Sequence, residues 1–314
     1  PSATRLDLAL IKRHPDLSRR KARDVIEKGQ VSVDGRTVRE AGEPVGAGAA
    51  LLWDPHRKAL PRARLSLPIL FEDEHLLVVD KPAGLLSVPT DEDAKDEDTV
   101  LARVEEYVRH LRPRRPYVGR VHRLDRDTSG AIVVALSPAA RSGLIKQFSD
   151  HRIERRYRVL VDGSAPADEG VVDRPLRDAY VSGKRAVAGP GEPSRPAITR
   201  WRVVERFARG ALLAVELQTG RQHQIRVHLA SIRMPVLGDA TYGSASRHPP
   251  VRVRRQMLHA GALGFVHPLT GATVRVESPL PADFRKALLE LRRLSPVAPS
   301  PAPPAPRRGR VQSR

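Results

Sequence analysis

The run Gly119-Arg120-Val121-His122-Arg123-Leu124-Asp125-Arg126-Asp127-Thr128-Ser129-Gly130 constrains this chain more than any other. Asp127 to Gly130 reads as a tight turn. Behind it, Ala131-Ile132-Val133-Val134-Ala135-Leu136 has the length and β-branching of a buried strand. Asp125 therefore lies in a loop leading into a rigid strand, flanked by Arg120, Arg123 and Arg126. Guanidiniums nearby stabilise a carboxylate anion, and a carboxylate fixed by a rigid element can attack a sugar carbon. The same pattern also suits a turn acid that caps backbone amides or pairs with arginine.

Charge narrows the partner. A formal net charge of +19 over 314 residues points to a polyanion, with nucleic acid favoured over a membrane surface. No apolar run approaches a membrane span, and the first residues lack a signal-peptide layout. The chain has no cysteine, so neither disulfides nor thiolate metal sites can form. A cytoplasmic location is the expectation. The length suits one large domain plus a small one.

The first sixty residues read as a compact RNA-binding module. Arg5 to Arg13 is helical, with Leu6, Leu10 and Ile11 on one face. Ser18 is an N-cap for a second helix to about Lys28, which turns Ala22, Val25 and Ile26 inward and stops at Gly29. Val31-Ser32-Val33 alternates like a strand before the hairpin signal Asp34-Gly35. Arg19, Arg20, Lys21 and Arg23 cluster at the start of the second helix, whose positive end favours phosphate. By charge alone they could equally be a solvated basic face.

Beyond a Pro/Arg/Lys-rich linker, Ile69 to Gly84 reads as two strands around an acidic turn, closed by Lys81-Pro82-x-Gly84. Asp91 to Asp98 is an acidic low-complexity loop, and Thr99 caps a helix to about Leu111. Arg109, Arg112, Arg114, Arg115, Arg120, Arg123 and Arg126 then crowd into eighteen residues and would focus a positive field near Asp125. Ser137-Pro138 opens a helix to Phe148. A strand carries Arg155 and Tyr157, and further strands are expected at Ile198 to Val204 and Leu212 to Leu217. Aromatics are only 4% of the chain, which makes Tyr157 one of few stacking candidates; the alternative is a half-buried core aromatic. Ser182-Gly183-Lys184 lacks the other residues of a phosphate loop. In Thr219 to Leu229, helical spacing sets His223 and Arg226 on one side and Ile225 and Leu229 in an apolar stripe. His223 and His228 do not have zinc spacing, and no metal site is expected.

His122-Arg123-Leu124-Asp125-x-x-Thr128-Ser129-Gly130 resembles the signature of the RluA-type pseudouridine synthases, which act on uridines of ribosomal or transfer RNA. The resemblance makes Asp125 the catalytic residue. It extends to Lys81-Pro82-x-Gly84, whose role there is largely architectural. It also takes in Arg155-x-Tyr157, where Lys-x-Tyr is usual and the tyrosine meets the target base. Arg155 keeps the charge but changes its geometry. Arg226 matches the arginine that pairs with the catalytic Asp, and Gln222 stands in place of a more usual Thr. The stretches Leu237-Gly238-Asp239-x-x-Tyr242-Gly243, Leu258 to Gly271 and Ser278 to Phe284 continue it. Catalytic roles are thus expected for Asp125, Tyr157 and Arg226, and substrate-binding roles for His122, Arg123, Arg126, Thr128, Arg221 and His223.

Residues Thr4 to Trp53 resemble the domain named for small-subunit ribosomal protein S-four, which would make Arg19, Arg20, Lys21 and Arg23 contacts to structured RNA. The two resemblances imply an α+β pseudouridine synthase fold, a mostly antiparallel mixed sheet with flanking helices and a central cleft, plus a small α/β domain. The expected division is an RNA-binding domain over 1–60, a linker over 61–68, a catalytic domain over 69–294 and an unfolded Pro/Arg-rich tail over 295–314. Isomerising uridine breaks the bond from ribose to ring nitrogen and rejoins the base through carbon five. Nothing is oxidised, so no cofactor is expected. Asp125 would attack the anomeric carbon or remove a sugar proton. A monomer is expected, and the amino-terminal module favours large-subunit ribosomal RNA over transfer RNA. Two other classes compete: a non-catalytic RNA-binding or assembly factor, and a glycosylase that releases free base. Isomerised uridine, unchanged RNA or an abasic site as product separates the three.

Overall fold

The computed structural model describes residues 4–39, 41–57, 65–90, 97–111, 116–180, 184–243 and 249–295. Residues 61–64 of the linker, residues 91–96 of the acidic stretch, Arg112 to Arg115, Ser182-Gly183 and the tail past Ser295 lie outside them.

A ten-stranded sheet organises the larger part of the chain. Its order along one path is Glu169–Asp173, Ile198–Arg206, Ala211–Leu217, Glu154–Val161, Leu258–Val266, Ser129–Ala135, Leu76–Lys81 and Ile69–Glu72. Thr273–Glu277 and Gly119–Arg120 pair off this path. Every pairing is antiparallel except the central one, where His259 and Ala260 align in parallel with Ser129 and Gly130. The expected mostly antiparallel mixed sheet is therefore present.

That parallel joint explains a glycine. Gly130 has φ +119°, and a Cβ there would stand 2.2 Å from the Ala260 carbonyl oxygen. Only glycine tolerates both the torsion and the approach. The joint is also pinned by side chains, with Ser129 Oγ 3.0 Å from His259 Nδ1 and His259 Nε2 3.0 Å from the Ser278 carbonyl.

The sheet is buried on both faces. On one, Val100, Val104 and Val108 of the helix Val100–Leu111 and Ile225 and Leu229 of the helix Gln224–Ser231 pack with Tyr157, Val159 and Val161. On the other, Ala140 and Leu144 of the helix Pro138–Ser149 cover Val78, Val133 and Phe265. Leu160 meets Phe284 and Leu288 of the helix Ala282–Arg293. Strands sandwiched in this way read as continuous apolar runs, as Ala131 to Leu136 does. The caps fall where the sequence places them: Ser18 accepts from Lys21 N, Thr99 from Ala102 N and Ser137 from Ala140 N.

Near the amino terminus, the helices Leu6–Arg13 and Arg19–Glu27 pack on a three-stranded sheet of Val31–Val33, Arg36–Val38 and Leu51–Trp53. Asp34 and Gly35 both have positive φ, as a two-residue hairpin requires. The basic cluster is exposed and partly ordered from beneath. The carboxylate of Asp7, fully buried, receives Arg5 and Arg23 at 3.1 Å and lies 3.7 Å from Arg19. Hydrogen bonds from Arg5 hold its pKa down to about 2 against the opposing effect of burial, with help from Arg23. Lys21 lies 3.8 Å from Asp24, and Arg20 has no acidic partner among the described residues.

Two sequence expectations need correction. The turn in the organising run closes between Asp125 and Thr128, whose amide donates to the Asp125 carbonyl at 3.1 Å, and the strand begins at Ser129. His223 is not on the helix with Arg226; it precedes it as a left-handed residue with φ 59°. A tight Thr219 to Gln224 turn, in which Gln224 Oε1 accepts from Thr219 Oγ1 and the Arg221 amide, delays the start of the helix to Gln224.

Candidate active site

Asp125 stands on a backbone fixed from several sides. Ser87 Oγ donates to the Leu124 carbonyl at 2.8 Å and accepts the Leu124 amide at 3.0 Å. Lys81, fully buried, donates to the carbonyls of Pro82, Leu85 and Arg126 at 2.9, 2.7 and 2.7 Å. Burial pushes its pKa down to about 7, opposed by the charges of Asp127 and Asp125. The Arg255 guanidinium holds the Asp127 carbonyl at 3.0 Å and is itself clamped by Asp283. The loop is thus wired into the sheet, and the Asp125 side chain projects from it into a cavity.

That side chain is 17% exposed, and Arg226 Nη1 donates to its Oδ2 at 3.0 Å. Arg226 gives its other edge to Asp239, Nε to Oδ2 at 2.7 Å and Nη2 to Oδ1 at 2.9 Å. Burial opposes the charge on Arg226, but the carboxylates of Asp239 and Asp125 more than offset it and raise its pKa. Burial alone would raise Asp239; bonds from Arg226 and from the Tyr242 and Thr241 amides bring its pKa below the ordinary range. Tyr242 lies under the same guanidinium, 5.0 Å from ring centroid to Arg226 Cζ. Its hydroxyl accepts the Arg185 amide at 2.9 Å and lies 2.8 Å from His223 Nδ1. Nε2 of the same ring faces Asp125 Oδ1 at 3.9 Å. Burial lowers the His223 pKa, which favours the neutral ring.

A cavity of about 520 Å³ opens over Asp125. It brings together Asp125, Tyr157 and Arg226, and is also lined by His122, Arg123, Thr128, Arg221 and His223. Tyr157 is 8% exposed, on the strand face that also buries Val159. Burial raises its pKa, Arg155 opposes the rise and Asp125 adds to it, so the hydroxyl keeps its proton at neutral pH. Arg155 also lines the cavity; its Nη2 donates to the Leu217 and Gln218 carbonyls at 3.2 Å, and its Cζ lies 5.5 Å from the Phe148 ring centroid.

Not every expected contact presents a free group. His122 Nε2 accepts the Val133 amide at 3.0 Å, and the ring stacks on Phe148 at 4.8 Å. Burial, with Arg155 adding to it, lowers its pKa to about 3. Thr128 is buried, its hydroxyl accepting from Gln256 at 3.1 Å. Arg126 points away from this cavity and lines a neighbouring one, with Arg123, Asp125 and Arg254. Arg221 donates Nε to the Pro196 carbonyl. Asp239 and Tyr242 were given no role from sequence. Their signal was present: an Asp behind a glycine, with amides two and three residues on that bond its Oδ1 at 2.9 and 3.0 Å.

A carboxylate held by arginine in a cavity of nucleotide size, beside a protonated tyrosine, suits chemistry at a sugar. Comparison with known proteins agrees. The model of the RNA pseudouridylate synthase family matches residues 75–231, and that of the S4 domain matches residues 4–51. Ribosomal large subunit pseudouridine synthase D of Zymomonas mobilis is 37% identical over 300 residues, covering 90% of this chain and 92% of that protein. The protein of that name from Nitrosomonas europaea is 40% identical over 304 residues, covering 92% and 85%. Among solved structures, human RNA pseudouridylate synthase domain containing 4 superposes with a TM-score of 0.59 at 23% identity, over 72% of this chain and 93% of that one, a likeness of fold. The chain belongs to the RNA pseudouridylate synthase family and carries an amino-terminal S4 domain. It is an isomerase that turns uridine in RNA into pseudouridine.

Proposed function

We propose that this enzyme isomerises uridines of large-subunit ribosomal RNA, with Asp125 acting at the ribose, Arg226 positioning it and Tyr157 supporting the base. The observation that carries the site assignment is the 3.0 Å bond from Arg226 to a partly exposed Asp125 carboxylate at the floor of the cavity. The target uridine leaves its stack to reach that floor. The bond from C1′ to N1 breaks, the uracil turns within the enclosed space, and C5 bonds to C1′; the C5 proton is released and N1 regains one. Asp125 meets the sugar. Arg226 keeps its charge fixed so that no reorganisation is needed as the bond breaks. No redox change occurs and no group is donated, so the chain's own residues suffice.

The ribosomal target draws on the relatives' names, the S4 domain and the exposed Arg19, Arg20, Lys21 and Arg23. These four residues are read as contacts to RNA phosphates, and the chain as a monomeric cytoplasmic enzyme. Pseudouridine mapping in cells lacking the protein tests the target. Sites missing from large-subunit ribosomal RNA and restored by the gene support it; sites missing only from transfer RNA overturn it.

A further inference from the structure

The loop of Gly220, Arg221 and Gln222 walls the Asp125 cavity on one side and a second cavity, of about 420 Å³, on the other. Arg177, Asp178, Arg185, Arg195 and Arg221 line this second hollow, and of its arginines only Arg221 also lines the Asp125 cavity. Two of the four are matched by acids: Arg177 lies 2.6 Å from Glu192, and Arg195 lies 2.7 Å from Asp178. Arg185 and Arg221 have no acidic partner among the described residues. The hollow therefore holds two guanidinium charges in excess.

These two are also held in place. Arg185 Nη1 donates to the carbonyls of Arg177 and Asp178 at 3.1 and 2.6 Å, and its plane lies 4.3 Å from the Tyr180 ring centroid. Its Nε is buried without an acceptor among the described residues. Arg221 is tethered through Nε to the Pro196 carbonyl at 3.1 Å. A guanidinium ordered before binding has little rotamer freedom left to lose, and its planar fork matches a phosphate. Arg185 Nη2 lies 3.5 Å from Gln222 Oε1, and the Nη groups of Arg221 have no acceptor among the described residues, an arrangement that suits an anion bringing several acceptors. The wall shared with the Asp125 cavity sets the two hollows side by side, so a strand laid across Gly220 to Gln222 would span both.

We propose that this hollow is a subsite for a backbone phosphate flanking the target uridine, with Arg185 and Arg221 as its charged donors. It rests on the Asp125 cavity being the uridine site. The subsite is wired to that cavity, since the Arg185 amide bonds the Tyr242 hydroxyl, which in turn meets His223.

The test uses the full chain and a set of substrate RNAs, each with one neutral methylphosphonate linkage at a successive position around the uridine. One linkage should weaken binding by wild type about tenfold, the range of one lost charge-assisted contact. In Arg185→Gln the same linkage should cost no more than about twofold, because the contact is already gone. The salt slope of binding should fall by about 0.7 in that variant. Arg221→Gln, whose side chain makes a single backbone bond, repeats the comparison should Arg185→Gln fail to fold. Losses that add at every linkage, or a wild type indifferent to all of them, overturn the subsite. Isomerisation is followed on the unmodified RNA. If wild type converts no uridine while the linkage and arginine effects still merge, the reading of the Asp125 cavity fails and the phosphate site stands.

Discussion

Arg226 divides its guanidinium between two carboxylates, Nε and Nη2 on Asp239 and Nη1 on Asp125. Asp239 is fully buried and Asp125 is 17% exposed, so one carboxylate anchors the arginine and the other faces the cavity. The pairing aims the charge of Arg226 without consuming all of it.

Asp239→Asn is therefore expected to lower kcat at least about tenfold, or 1.4 kcal/mol, while KM changes far less. The substitution keeps the shape and removes the anchor's charge, leaving Arg226 to swing toward Asp125. Breaking a buried pair costs about 3–5 kcal/mol, so a lowered Tm should accompany it. Asp239→Glu should recover part of the kcat. A kcat unchanged in folded Asp239→Asn would show that Asp239 does not position the site.

Tyr157 offers a ring face and a protonated hydroxyl, and substitutions separate them. Tyr157→Phe should lose about 10²-fold or more in single-turnover rate if the hydroxyl moves a proton. Its RNA affinity should stay near wild type. Tyr157→Ala should additionally lose about 1–3 kcal/mol of stacking. A normal rate in Tyr157→Phe would show that only the ring face of the tyrosine has a role.

His122 gives the fold a pH dependence. Its Nε2 accepts the Val133 amide, so protonation breaks that bond, and the pKa stands at about 3 in the fold against an ordinary 6.5. The unfolded chain binds the proton first as pH falls. The stabilisation is therefore fully present above pH 6.5 and drains away between pH 6.5 and 3. Denaturant unfolding of wild type and His122→Gln across this window should show stabilities that converge as pH falls. A difference that stays constant with pH would contradict the assignment.

Where the sequence was legible, local chemistry and burial agreed. Ser18, Thr99 and Ser137 cap the helices they precede, and the apolar run after Gly130 is the buried strand its composition demands. Asp125 and Arg226 could be paired from motif resemblance, although 101 positions separate them. The turn boundary at Asp125 to Thr128 was misplaced because the parallel pairing of Gly130 with Ala260 draws Ser129 into the strand. No periodicity reveals that non-local joint. His223 was misplaced because Gln224 closes the turn before the helix can begin. Asp239 escaped notice because its importance lies in what Arg226 does with its second edge, a relation that exists only in three dimensions. His122 lines the cavity and carries a second task the sequence does not reveal, since its Nε2 accepts a backbone amide.

The most direct test is single-turnover conversion of a defined uridine by Asp125→Asn, a change that removes the charge and keeps the shape. Pseudouridine formation should vanish while RNA affinity stays within about tenfold, or 1.4 kcal/mol. Conversion at a rate near wild type would contradict the account, because a neutral amide cannot do what is asked of the Asp125 carboxylate.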